Sequence, residues 1–330
     1  VLGCGAPECY ALSLSHTGDG SDPVASPLSS AGCPEGEYVA GTWIQLSGAV
    51  PETGWQIANW FGTNDDGSTA STNLVIMPAG AHSAGVAYAE IPEYTLTVNV
   101  VGNGSVALDP TGGTYYEDTV VTLTAEPDPG WTFSGWSGDL TGANNPETIT
   151  MDGDRTVTAT FTEDEYTLTV ITVGDGSVAR NPDETTYLYG DVAELTATAD
   201  PGWTFSGWSG DLLGADNPET ITMNGDREVT ATFTEDEYTL TVNVVGNGSV
   251  DWDPDQAFYA YGDEVDLTAT ADPGWIFSGW SGDLSGTDNP ETITMYGDRE
   301  VTATFSQDEY TLTVITVGNG SVTRNPDHTT

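Results

Sequence analysis

The chain has 330 residues and a formal charge of −46, from 51 Asp and Glu against five Arg and no Lys. So acidic a surface repels phosphate, which argues against nucleic acid as a partner, and no apolar run approaches the ~20 residues of a membrane span, so membrane insertion is not expected. The missing Lys also excludes a Schiff-base lysine, a phosphate-loop lysine and a Lys–Asn isopeptide cross-link.

Taken in order, residues 1–8 are an N-terminal segment and 9–92 a worn copy of a repeat that is plain further on. Glu-Tyr-Thr-Leu-Thr-Val begins at Glu93, Glu165, Glu237 and Glu309, a spacing of 72 residues. It marks repeats at 93–164, 165–236 and 237–308, with 309–330 the first strand pair of an incomplete fifth. Trp-Ser-Gly-Asp-Leu recurs at Trp136, Trp208 and Trp280, Asn-Pro-Glu-Thr at Asn145, Asn217 and Asn289, and Gly-Asp-Arg at Gly153, Gly225 and Gly297. In the worn copy Tyr10, Gly18, Gly54-Trp55, Trp60 and Met77 keep the order of Tyr94, Gly102, Gly130-Trp131, Trp136 and Met151.

Within a repeat, strict alternation predicts strands. Tyr94, Leu96, Val98 and Val100 share one face; Val121, Leu123 and Ala125 follow, then Ile149 and Met151, then Val157, Ala159 and Phe161. Gly102-Asn103-Gly104 reads as a hairpin turn, and so does Met-Asp-Gly-Asp-Arg. Trp131 and Phe133 share a face that Trp136 joins only if Gly135 marks a bulge. No window has a 3.6-residue apolar period. The expected fold is all-β: a tandem array of small β-sandwich or rolled-sheet domains of about six strands each, without significant helix. Four residues separate Phe161 from Tyr166, at most ~14 Å of chain, so successive domains must abut.

The order Tyr-x-Leu-x-Val, Gly-x-Gly-Ser-Val, Pro-Gly-Trp-x-Phe-x-Gly-Trp-Ser-Gly and Met-x-Gly-Asp-Arg-x-Val-x-Ala-x-Phe resembles the divergent internalin-B-type B-repeat, strongly over Tyr94–Thr330 and weakly over Tyr10–Ala89. The resemblance implies an extracellular or cell-surface module without enzymatic activity, used as stalk, spacer or adhesive part. The better-known internalin repeats are similar to a β-grasp fold with a helix, whereas no helix is expected here.

The residues that carry chemistry are few. Cys9 and Cys33 are the expected disulfide, leaving Cys4 unpaired or joined to another chain. Asp128, Asp139, Asp152 and Asp154 offer oxygens to Ca²⁺, although acidic turns are commonly just solvated; no other cofactor is expected. Arg155, Arg227 and Arg299 recur in one place, which fits a local ion pair with a neighbouring Asp. Asn103, Asn247 and Asn319 form Asn-Gly-Ser sequons, candidates for glycosylation. His16, His82 and His328 occupy unrelated repeat positions, and no catalytic motif recurs. The expected function is therefore a structural stalk or a subunit of a self-associating surface fibre. The alternative is an adhesin whose worn first copy binds a surface glycan or protein, which binding dependent on Trp55 or Trp60 would favour. The Trp pairs could stack sugars if exposed, but an alternating apolar strand such as that of Trp131 makes core packing the stronger reading. For 309–330, either the chain continues or the strand pair completes a neighbouring subunit by strand addition.

Overall fold

A computed structural model describes residues 5–325, and all of its regular structure is strand. The first repeat contains β1 (Cys9–Thr17), β2 (Val24–Ser26), β3 (Glu37–Val39), β4 (Trp43–Ser47), β5 (Trp55–Phe61), β6 (Asn73–Ile76) and β7 (His82–Glu90). The second contains β8 (Glu93–Val101), β9 (Gly104–Asp109), β10 (Thr114–Tyr116), β11 (Val120–Pro127), β12 (Trp131–Gly138), β13 (Glu147–Thr150) and β14 (Arg155–Glu163). The sheets run β3-β1-β7-β5 with β2-β4-β6 in one repeat, and β10-β8-β14-β12 with β9-β11-β13 in the next. The worn copy is thus the same sandwich, and the sequence reading missed only the three-residue β10.

The third repeat runs β15 (Glu165–Tyr166), β16 (Leu168–Val173), β17 (Gly176–Asn181), β18 (Tyr187–Leu188), β19 (Val192–Ala199), β20 (Trp203–Gly210), β21 (Glu219–Thr222) and β22 (Arg227–Glu235). The fourth runs β23 (Leu240–Val245), β24 (Gly248–Asp253), β25 (Glu264–Ala271), β26 (Trp275–Gly282), β27 (Glu291–Thr294) and β28 (Arg299–Gln307). Repeats one and two form one compact unit and repeats three and four another, dividing at Asp164/Glu165. Each repeat has its own core.

In the second repeat every connection from β8 to β14 passes from one sheet to the other. Gly102-Asn103-Gly104 is therefore not a hairpin, and neither is Met151–Arg155: β13 pairs with β11, while β14 pairs with β12 and β8. The reason lies in the glycines. Gly102 sits at φ +86° against the Phe161 carbonyl, and Gly104 is a seat for the Phe161 ring, so the turn folds over the end of β14 into the opposite sheet. The Met position, buried in all four repeats, lies at the second crossing; Met151 donates its N–H to Thr119 and accepts from Asp118.

Apolar alternation gives each sheet one inward face. Leu96, Val157, Ala159, Phe161 and Trp136 meet Val121, Leu123, Ala125 and Ile149 in one cluster. The β12–β14 register shifts between Phe133 and Gly135, and this bulge turns Trp136 inward. The same shift recurs between Ile57 and Asn59, Phe205 and Gly207, and Phe277 and Gly279. Buried hydroxyl and indole groups are satisfied locally. Tyr115 donates to Pro110 O at 2.9 Å and Trp136 Nε1 to Asn144 O at 2.9 Å. Tyr38 and Trp60 do likewise in the first repeat.

Glu309–Asn325 form no strand, and the remainder of that segment lies outside the described residues. In complete repeats this strand pairs in parallel with the last strand of its own repeat, a partner these residues lack among those described. Local contacts remain: Arg324 Nη1 donates to Leu312 O at 3.1 Å, as Arg180 Nη1 does to Leu168 O in the third repeat, and the Tyr310 hydroxyl bonds Asp308 as Tyr238 bonds Asp236.

Candidate functional site: repeat ends and outer faces

The residues singled out in the sequence serve mainly to fasten the sandwich. Cys9 at the start of β1 is joined to Cys33, in the segment between β2 and β3, with Cα atoms 5.7 Å apart. Cys4 lies outside the described residues. Asp139 Oδ2 accepts from Thr156 N at 2.7 Å while its Oδ1 lies 3.6 Å from Arg155 Nη1, and Asp152 also contacts Arg155. Asp154 accepts from Thr95 N at 2.8 Å, tying the turn before β14 to the start of β8. Asp128 closes its turn through its carbonyl, which accepts from Trp131 N. No group of three or more metal-ligating side chains comes together among the described residues. Equivalent Arg–Asp pairs recur at Arg227–Asp211 and Arg299–Asp283. The Asp226 and Asp298 carboxyls are held below the usual range, first by the backbone N–H of Thr167 and Thr239 and then by their hydroxyls.

Asn103 and Asn247 stand exposed at sheet-crossing turns, and Asn319 is exposed outside any strand. Asn145 was seen in the sequence only as part of a motif. Its amide bridges the N–H and C=O of Ala125 (2.8 Å each), continuing the β11 ladder where β13 stops. His16 pairs with Asp22, His82 bonds Gly62 O, and His328 lies outside the described residues. Trp60 is fully buried and Trp55 packs half-buried on the same core, the packing role expected of the Trp pairs.

The repeat ends carry the most telling geometry. The first and last strands of each sandwich are parallel neighbours: β1 with β7, β8 with β14, β16 with β22 and β23 with β28. The chain therefore enters each repeat at one end and leaves at the other. The residue after each last strand donates its N–H back to the Gly of the Gly-Trp turn: Ile91 to Gly54, Asp164 to Gly130, Asp236 to Gly202 and Asp308 to Gly274. Tyr116 of the second repeat lies against Gly54 of the first, leaving no room there for a Cβ. Gly202 of the third repeat is covered instead by the Cβ and ring base of Tyr261 of the fourth, a neighbouring repeat position. Between repeats one and two a cleft of about 530 Å³ is lined by Gly54, Trp55, Glu90, Glu93 and Tyr116.

A family model described as a divergent InlB B-repeat domain matches residues 28–92, 94–165, 166–237 and 238–309. The chain belongs to that family. Its B-repeats are of a kind associated with surface proteins. In the first B-repeat the match begins at residue 28, yet β1 and β2 lie upstream of it in the same sheet positions as β8 and β9. No curated protein matches the chain at significance.

Proposed function

We propose that the chain is an extracellular structural element, a stalk of B-repeats or a subunit of a surface fibre. The observation that carries this reading is the parallel pairing of first and last strands in all four repeats. With Arg155 level with Leu96, the path from Glu93 to Glu163 advances about 11 residues, or ~35 Å at 3.3 Å each. Two residues separate β7 from β8, so within the first pair of repeats that advance is handed on with little slack. The back-bonded glycine and the tyrosine seated on it favour a set angle over a free hinge within each pair of repeats.

Small-angle scattering tests the proposal. Four repeats laid end to end as a rod of about 140 Å would have a radius of gyration near 40 Å, against about 20 Å for a compact body of 330 residues. A value near the lower figure refutes the stalk. Electron micrographs of the native material distinguish a separate stalk from a fibre subunit by the absence or presence of periodic filaments.

A further inference from the structure

The four sandwiches share their inner faces but not their outer ones, and one outer face stands apart. On β4 and β6 the side chains of Trp43, Gln45, Leu74 and Ile76 point away from the core, with Trp43 paired to Ile76 and Gln45 to Leu74. The equivalent block in the second repeat is Val120, Thr122, Thr148 and Thr150. In the third it is Val192, Glu194, Thr220 and Thr222, and in the fourth Glu264, Asp266, Thr292 and Thr294. The first repeat thus replaces both threonines with aliphatic side chains and sets an indole across from them. Trp43 is 63% exposed, Ile76 41% and Leu74 39%. The other repeats build the same sheet without these three side chains, so folding does not demand them here.

Beside this block the β5–β6 loop makes a wall. Gln45, Asp65, Ser68, Thr72, Asn73 and Leu74 line an open cleft of about 490 Å³, within the ~300–1,000 Å³ of small-ligand sites. The loop is held in place: Asp66 Oδ1 accepts from Thr63 N and Oγ1, Asn73 Nδ2 donates to Asp65 O, Asn64 Oδ1 accepts from Ile76 N, and Trp60 Nε1 donates to Ala70 O. An apolar plate therefore adjoins the amide, hydroxyl and carboxylate groups of an anchored loop.

We infer that this outer face is a binding site for an uncharged glycan, one sugar ring stacking on Trp43 and its neighbour's hydroxyls bonding along the Gln45–Asp65 wall. A sugar offers both an apolar C–H face and equatorial hydroxyls, which matches the two halves of the site. The plate is four side chains, whereas a specific protein interface engages about 20–30 residues a side, so a second protein is the poorer fit. No Lys or Arg lies in the first repeat, and the chain carries −46, so an acidic polysaccharide has no counter-charge there. The inference stands whether or not the repeats act as a spacer.

The test is calorimetric titration of the full chain with neutral tetrasaccharides of glucose, galactose, mannose and N-acetylglucosamine, with tetragalacturonate as the acidic control. At least one neutral sugar should bind with millimolar or better affinity, and tetragalacturonate should not. The triple variant Trp43→Val, Leu74→Thr, Ile76→Thr installs the side chains of the second repeat and should lose tenfold or more in affinity, with its melting curve unchanged. Trp43→Phe should lose less, which preserves the test if the triple variant fails to fold. The inference is overturned if no neutral sugar binds, if both variants bind as the parent does, or if the change instead abolishes a self-association seen by sedimentation.

Discussion

Gly104→Ala isolates the feature that decides the fold's connectivity. Gly104 has no unusual φ, so its requirement is one of space: an added methyl carbon would lie 2.7 Å from Phe161 Cζ and 2.9 Å from the Glu126 carbonyl oxygen. Phe161 is buried at the centre of the repeat and cannot swing out without opening the core. Overpacking of this kind costs about 1–3 kcal/mol. For a domain of this size each kcal/mol shifts the melting temperature by roughly 4–8 °C, so ~2 kcal/mol moves the second repeat by about 8–16 °C. Scanning calorimetry of the full chain should show a transition leaving the main envelope toward lower temperature. Gly153→Ala is the control, since its Cβ would meet nothing within 4 Å, and it should stay within about 0.5 kcal/mol of the parent. Phe161→Leu removes the colliding ring edge, so the double variant should recover about 1–2 kcal/mol relative to additivity. Strict additivity, or an unmoved transition in Gly104→Ala, would refute the aromatic seat and with it the account of why this turn crosses between sheets.

Asn145→Ala strips the partners from both backbone groups of Ala125 and should cost about 1–3 kcal/mol in urea unfolding. Asn145→Asp should not rescue it, because a carboxylate cannot donate to the Ala125 carbonyl. Reduction of Cys9–Cys33 reopens a loop of sequence separation 24 and should destabilise the first repeat alone by about 3–4 kcal/mol, read as one shifted calorimetric transition out of four. The Asp226 and Asp298 carboxyls titrate lower in the fold than in the unfolded chain. Their contribution is therefore complete above the unfolded value of about 3.9 and is lost as pH falls through the lower folded value. Asp226→Asn with Asp298→Asn should flatten the loss of stability below pH ~4 and leave the slope above pH ~5 untouched.

Much of this architecture is written in period and spacing. The 72-residue frame, the alternating strands, the inward Trp136 made possible by a bulge at Gly135 and the kinship of the worn first copy all follow from the residues. The partners of the strands do not. A short Gly- and Asp-rich turn serves a hairpin or a crossing between sheets equally well, and local alternation is the same in both. What separates them is a contact between Gly104 and Phe161, which are far apart in sequence. The bridge from Asn145 to Ala125 was hidden for the same reason: Asn-Pro is a turn signal, and its amide acts on a strand twenty residues earlier. Trp43 was legible only by comparison. Set beside Val120-Val-Thr-Leu-Thr, Trp43-Ile-Gln-Leu-Ser keeps the inner positions and changes the outer ones, a match that becomes visible once both are known to be the central strand of the same three-stranded sheet.

That division between faces links the two functional readings. The inner face is fixed by packing: a Met at the crossing, a Trp turned in by the bulge, and a Gly under the ring of the last strand leave no freedom that does not cost stability. The ends are fixed by connectivity, since a last strand lying parallel to the first delivers the chain to the far end of the sandwich, where the next repeat begins. The outer faces answer to neither demand. One sheet position can carry Trp43, Val120, Val192 or Glu264 while Ile44, Val121, Ala193 and Val265 beneath remain buried. A scaffold of this kind can change what one repeat touches without changing how far it reaches. The departure from the shared pattern at Trp43, Leu74 and Ile76 is therefore informative, because nothing in the reach or the core of the repeat calls for it.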